Sequence, residues 1–88
     1  MTDRPFDKQR FLLELIADID TVSSTAQQDL GQLNSIAREL KHQHDADKIS
    51  DLHYTVDKER LNRTMSKCKQ LIVSLSNHRV QALKLLNE

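Results

Sequence analysis

The stretch that decides the fold runs from Phe11 to Leu40 and reads FLLELIADIDTVSSTAQQDLGQLNSIAREL. Its apolar residues recur in steps of three and four, which places them on one face of an α-helix. That face consists of Leu12, Leu15, Ile19, Val22, Ala26, Leu30, Leu33, Ala37 and Leu40. Two four-residue steps follow one another between Val22 and Leu30, a local departure from the seven-residue repeat of a coiled coil. A helix with such a face requires a partner helix.

The amino-acid composition is typical of long helices. The 88 residues include one glycine, one proline and three aromatic residues, and few segments combine β-branched residues with the strict alternation of a strand. A chain of this length forms at most one domain with a modest core. We therefore predict an all-α chain with a single domain over residues 1–88.

The first helix is predicted from about residue 5 to residue 42. Pro5 suits the first turn of a helix, where its missing N–H group costs nothing. The weakest part of the helix is residues 23–25, because Ser24 is able to cap a new helix there. The apolar spacing crosses this part without losing phase, so a continuous helix is favoured, with a break at 23–25 as the alternative.

A polar turn is predicted at about residues 43–47, followed by a second helix over about residues 48–87. Asp45 or Asp47 is expected to cap that helix. Folding back near residue 44 pairs Leu12 with Leu75 and Ile16 with Ile72. The second helix carries its own apolar series, again mostly at steps of three and four: Ile49, Leu52, Val56, Leu61, Met65, Cys68, Leu71, Ile72, Leu75, Ala82, Leu85 and Leu86.

The charge pattern favours the same antiparallel pairing. Every charged residue between Phe11 and Ala37 is acidic, whereas every charged residue between Arg60 and Lys84 is basic. A hairpin sets acid beside base, whereas a parallel dimer of one uninterrupted helix sets like charges beside each other. We therefore predict an antiparallel, coiled-coil-like helical hairpin that completes a larger helical bundle.

The residue types that carry chemistry form no recognisable site in the sequence. His42 and His44 are two residues apart, which points them in different directions on a helix, so no metal site is expected. Cys68 falls between Met65 and Leu71 and is expected in the core as a small apolar residue. The chain contains no phosphate-binding glycine loop and no nucleophile elbow. We expect a non-enzymatic protein with no cofactor and no small-molecule substrate.

Composition also bears on partners and compartment. Formal net charge is zero, so the overall positive charge of a nucleic-acid binder is missing. A lone cysteine cannot form a disulfide within the chain, and the first residues lack a secretory pattern. The expected compartment is cytoplasmic, with the nucleus as an alternative. Residues 11–16, the most apolar run, fall far short of the roughly 20 residues of a membrane span.

The open end of the predicted hairpin offers more apolar side chains than one seam between two helices covers. The predicted partner interface consists of Phe6, Phe11, Leu13, Val73, Val80 and Leu83. We therefore expect a protein–protein interaction subunit whose partners are helices of further copies or of different chains. Two alternatives are a small secretion-type chaperone for a helical partner and a small helical nucleic-acid-binding regulator.

The general plan, a short helical hairpin with an apolar open end, resembles small coiled-coil subunits of multi-subunit scaffolds. Examples are the snapin-like subunits of organelle-biogenesis complexes and small kinetochore subunits. It also resembles the helical-hairpin chaperones of bacterial type III secretion. The resemblance is one of architecture along the whole chain, and it implies an interaction subunit or a chaperone.

Overall fold

The computed structural model describes residues 6–88 and is an all-α helical hairpin. Helix α1 spans Lys8–Asp45 and helix α2 spans Asp51–Leu86. Contacts such as that between Asp20 and Arg79 show that the two helices run antiparallel. The molecule measures 69 × 27 × 16 Å, so it is a single layer of two helices. The predicted antiparallel helical hairpin is confirmed.

Helix α1 begins after a capped and stapled N-terminus. Asp7 is the N-cap, and its carboxylate accepts a hydrogen bond of 3.0 Å from the Arg10 backbone N–H. Phe6 and Phe11 flank the cap with ring centroids 5.6 Å apart, the arrangement known as a hydrophobic staple. The predicted start at Pro5 lies outside the described residues.

Helix α1 continues without interruption through residues 23–25. The hydroxyl of Thr21 donates to the Ala17 carbonyl at 3.0 Å, and that of Thr25 donates to the Thr21 carbonyl at 3.2 Å. These hydroxyls therefore bond within the helix instead of competing with it for backbone groups. The continuous helix is confirmed, and the alternative of a break at 23–25 is wrong.

The first helix ends three residues later than predicted, in a Schellman motif. Asp47 adopts a left-handed conformation with φ of 57°. Its N–H donates to the His44 carbonyl at 3.0 Å, and the Lys48 N–H donates to the Gln43 carbonyl at 2.9 Å. These two bonds satisfy carbonyl groups that the end of a helix leaves without partners.

Ser50, rather than an aspartate, caps the second helix. Its hydroxyl accepts a hydrogen bond of 3.2 Å from the His53 backbone N–H. Asp45 is the last residue of α1, and Asp47 ends that helix instead of starting the next. The expectation that one of these aspartates caps α2 is therefore wrong, because both belong to the termination of α1.

The two helices meet along a seam with an unbroken seven-residue repeat. On α1 the steps alternate strictly between four and three residues, through Leu12, Ile16, Ile19, Ser23, Ala26, Leu30, Leu33, Ala37, Leu40 and His44, all buried or half-buried. On α2 the same alternation runs through Tyr54, Lys58, Leu61, Met65, Cys68, Ile72, Leu75, Arg79, Ala82 and Leu86. Val22 is 47% exposed and Ser23 takes its seam position. The irregular step predicted after Val22 is absent.

The register of the helices differs from the predicted one. Leu12, Ile16 and Ala82 form the buried cluster near the open end, with Leu86 packed against it. The predicted pairs, Leu12 with Leu75 and Ile16 with Ile72, are displaced by about two to three helical turns. The cause is the connection, which ends at Ser50 rather than at residue 47 and so moves the fold-back point along the chain.

The core of the hairpin is thin. Its buried apolar residues are Leu12, Ile16, Ile19, Ala26 and Ala82. No large side chain is fully buried among the described residues. All five buried residues lie in the half of the hairpin near the open end, so the half near the turn is held by half-buried side chains only.

Candidate protein-interaction surface

The seam has two flanks of different character. We define the apolar flank as a series of residues, seven apart, that directly precede every second seam position: Leu15, Val22, Asp29 and Ile36 on α1 and Leu71, His78 and Leu85 on α2, all apolar except Asp29 and His78. A groove of about 330 Å³ between the helices is lined by Leu15, His78 and Leu85 together with seam residues. The two helices therefore present this flank on one side of the hairpin.

The apolar flank is largely uncovered. Val22 is 47% exposed, Ile36 50%, Leu71 46% and Leu85 44%. Leu15 is half-buried against the core cluster. Large apolar side chains that recur at seven-residue intervals beside a seam form a second stripe of contact surface on the same helices. The hairpin itself supplies no segment among residues 6–88 that covers this stripe.

The opposite side, which we call the polar flank, consists of the residues, seven apart, that directly follow every second seam position. Its members are Leu13, Asp20, Gln27, Asn34 and Lys41 on α1 and Thr55, Asn62, Lys69, Ser76 and Leu83 on α2. Arg79 reaches from the seam to Asp20, with 2.7 Å between Nε and Oδ1. Both side chains are about half exposed, so the pair contributes at most about 1 kcal/mol. Apart from Leu13 and Leu83 at the open end, this flank suits contact with water.

The residues predicted as the partner interface do not all share one surface of the hairpin. Phe6 and Phe11 contact each other in the N-terminal staple. Val73 and Val80, 60% and 47% exposed, are seven residues apart on the outer face of α2. The remaining two, Leu13 and Leu83, lie on the polar flank at the open end.

Leu83 differs from the other five predicted interface residues. It is half-buried and packs against the cluster of Leu12, Ile16 and Ala82. Leu13 remains 52% exposed. The structure therefore gives Leu83 a place in the intramolecular core and does not bring the six residues together into one patch.

Sequence reasoning missed the apolar flank because it assigned those residues to the seam. The predicted seam face includes Leu15 and Val22 with Leu12 and Ile19, although together these residues make that face wider than one partner helix covers. The signal that separates them is the strict repeat through Leu12, Ile16 and Ile19, which leaves Leu15 and Val22 over at a spacing of seven. Residues 71, 78 and 85 of α2 show the same spacing.

His44, one of the two histidines considered for metal binding, has a structural role near the turn. The His44 ring stacks on Tyr54 with centroids 4.0 Å apart and an interplanar angle of 10°. His44 Nε2 lies 2.6 Å from Asp51 Oδ1, and Lys58 Nζ lies 5.5 Å from the centre of the Tyr54 ring. These contacts join the last turn of α1 to the first turns of α2. No group of three or more potential metal ligands occurs among residues 6–88.

Cys68 lies in the seam, half-buried rather than fully buried. Its Sγ is 3.5 Å from the Ala26 carbonyl oxygen on the facing helix. A thiol donating weakly to a carbonyl is a packing contact of a small side chain. The position agrees with the predicted place of Cys68 on the seam face of α2.

Comparison with protein-family models, curated proteins and solved structures finds no significant match for this chain. Neither helix in the described part of the chain is long and apolar enough to cross a membrane.

Proposed function

We propose that this chain is a non-enzymatic protein–protein interaction subunit, a small coiled-coil hairpin that completes a larger helical bundle or scaffold. The observation that carries the proposal is the uncovered apolar flank beside the seam. Val22, Leu71 and Leu85 each expose close to half of their surface there. Exposed apolar stripes next to an existing helical seam are typical of surfaces that accept further helices.

The thin core supports the same proposal. Ordering one residue costs roughly 1–2 kcal/mol of backbone entropy, and only five apolar side chains among residues 6–88 are buried. Small helical scaffolds with so little core generally obtain the missing stability from oligomerisation. A partner that covers the apolar flank adds the burial that the hairpin lacks.

Surface area leads to the same conclusion. The chain exposes 7217 Å², whereas a compact monomer of 10.2 kDa exposes about 5300 Å², some 1900 Å² less. A standard protein interface buries about 800 Å² on each partner. The excess surface of the hairpin is therefore sufficient for at least one such interface. We place the subunit in the cytoplasm, where the single thiol of Cys68 stays reduced.

The experiment that tests the proposal compares two valine positions with equal exposure. Val22, on the apolar flank, and Val80, on the outer face of α2, are each 47% exposed. We expect tagged full-length chain to co-purify with a protein partner, either a differently tagged copy or another chain, at constant stoichiometry. Val22→Asp abolishes that association, and Val80→Asp retains it.

The comparison also separates the apolar flank from the interface predicted from the sequence, which contains Val80. Loss of association in Val80→Asp with retention in Val22→Asp would favour the sequence-predicted interface. The proposed function would be contradicted if the native chain were a stable monomer without a stoichiometric partner and Val22→Asp left its association state unchanged. Salt-dependent binding of the native chain to random duplex DNA would favour a nucleic-acid regulator instead.

A further inference from the structure

We infer that the occupant of the apolar flank is a second copy of this chain, packed face to face about a two-fold axis parallel to the long axis of the hairpin. The inference rests on the proposed function and names its partner. In this four-helix arrangement the open ends of both hairpins lie at the same end. Helix α1 of each copy packs beside α2 of the other.

The apolar residues of the flank are concentrated near the open end. Leu15, Val22, Leu71 and Leu85 lie in that half. Near the turn the corresponding positions are mostly polar and include Asp57 and Thr64 of α2. Face-to-face packing with the open ends level sets the apolar half of one copy against the apolar half of the other.

Charge at the rim of the apolar flank is divided between the two helices. On α1 Asp29 is itself a flank position beside Leu30 and Glu39 lies on the rim, whereas on α2 the rim carries Arg60 and Lys67; all four are exposed. Asp29, Arg60 and Lys67 form no ion pair within residues 6–88. The rim of α1 is therefore acidic and the rim of α2 basic, with side chains available to a partner.

The register of the hairpin sets these charges at matching heights. Asp29 lies level with the region of Lys67, and Glu39 lies level with the region of Arg60, because the seam pairs His44 with Tyr54 and the open-end cluster joins Ile16 with Ala82. A two-fold axis along the hairpin preserves these heights. It brings the acidic rim of each copy to the basic rim of the other, twice in one dimer.

The alternative face-to-face dimer has its two-fold axis across the hairpin. That arrangement sets α1 against α1 and α2 against α2, with the open end of one copy at the turn of the other. Acidic rim then meets acidic rim, and the apolar half of the flank meets the half containing Asp57 and Thr64. Like charges and uncovered apolar surface both oppose it.

The first test is the mass of the purified full-length chain by sedimentation equilibrium. We expect twice the chain mass of 10.2 kDa at micromolar concentration. Val22→Asp buries a carboxylate in the interface and is expected to weaken dimerisation about a hundredfold or more. Val80→Asp is the matched control and retains the dimer.

The second test measures orientation without disturbing the flank. A nitroxide label is placed at Asn87→Cys in a Cys68→Ala background, and the distance between the two copies is measured by pulsed electron resonance. Packed helices lie 8–10 Å apart, so labels at the same end are expected within about 30 Å. A distance near the 69 Å length of the hairpin would establish the opposite orientation and overturn the inference.

The outcomes distinguish this inference from the proposed function. The purified chain could be monomeric and yet bind a different protein through a contact that Val22→Asp abolishes. That result would overturn the second copy as the occupant of the apolar flank, but it would support the proposed interaction subunit. A monomer for which Val22→Asp and Val80→Asp behave alike, with no partner, overturns both. A dimer with labels at one end and selective loss in Val22→Asp supports the inference.

Discussion

Asp47 ends the first helix in a left-handed conformation, with φ of 57°, that costs most residues about 1–2 kcal/mol. The two hydrogen bonds of the Schellman motif hold it there, from its own N–H and from that of Lys48. Glycine is the residue that most often occupies this position, because it has no Cβ to clash. The chain thus carries a small local cost at its turn.

Replacing Asp47 with glycine is expected to stabilise the protein. Asp47→Gly removes the strain but increases the entropy of the unfolded chain, so the net gain is about 0.5–1 kcal/mol. The measurement is the midpoint of urea unfolding. Asp45→Gly, two residues earlier and inside α1, is the control and should destabilise by about 0.5 kcal/mol or more. A shift of the same sign in both variants would contradict the role assigned to Asp47.

Cys68 provides a second prediction at the scale of one residue. Because its Sγ lies against the Ala26 carbonyl, we expect a thiol reagent to modify it at least about tenfold more slowly in the native protein than in urea. A cysteine introduced by Ser66→Cys in a Cys68→Ser background, at an exposed position, is the control and should react at the same rate in both conditions. Equal rates for native and unfolded Cys68 would place it outside the seam.

The seam between the two helices buries little apolar surface, because polar residues occupy several of its positions. Ser23 and His44 do so on α1, and Lys58 and Arg79 on α2. Arg79 is compensated by its ion pair with Asp20, and His44 by its contacts with Tyr54 and Asp51. A regular repeat therefore fixes the register, while the amount of apolar burial remains small.

Gly31 is the one glycine of α1, and it lies on the solvent side away from the apolar flank. A Cβ added there meets nothing within 4 Å. Gly31→Ala is therefore expected to stabilise the protein by up to about 1 kcal/mol, through helix propensity alone. Thermal unfolding by circular dichroism measures the change.

The mirror substitution, Ala17→Gly at an exposed position of the same helix, is the control and should destabilise by a similar amount. A destabilising effect of Gly31→Ala would show that another helix approaches this side closely. That result would conflict with assembly through the apolar flank.

Considered as a whole, the hairpin is 16 Å thick, and residues 6–88 supply no second layer to cover its seam. If two copies pack together, folding and association are coupled and stability depends on chain concentration. We expect the unfolding temperature to rise by about 3–4 °C for a tenfold increase in concentration. In Val22→Asp it should not depend on concentration.

Circular dichroism melts at several concentrations check this prediction, with Val80→Asp as the variant that behaves like the native chain. A concentration-independent transition in the native chain would mean that the hairpin folds alone. The exposed apolar side chains of the hairpin would then require an explanation other than contact with a second copy.

Local features of the sequence predict the two helices and the antiparallel direction in which they pair, but not the register of that pairing. Two long helices and a turn between them follow from local rules: apolar spacing near 3.6 residues, and a polar stretch at about 43–47. Opposite charges on the two arms predicted the antiparallel direction, and the structure confirms it, because Asp20 contacts Arg79 near the open end and His44 contacts Tyr54 near the turn.

Only the tertiary structure decided which apolar residues form the seam and which lie beside it. Leu15 adjoins Ile16 and Leu71 adjoins Ile72, and in each pair either residue satisfies a spacing of three or four. The choice depends on the rotation of each helix about its axis, which is fixed by contact with the other helix and by the turn that ends at Ser50. Spacing along one helix holds no information about that contact. The apolar flank, and with it the proposed interface, is therefore defined only by the packing of the two helices against each other.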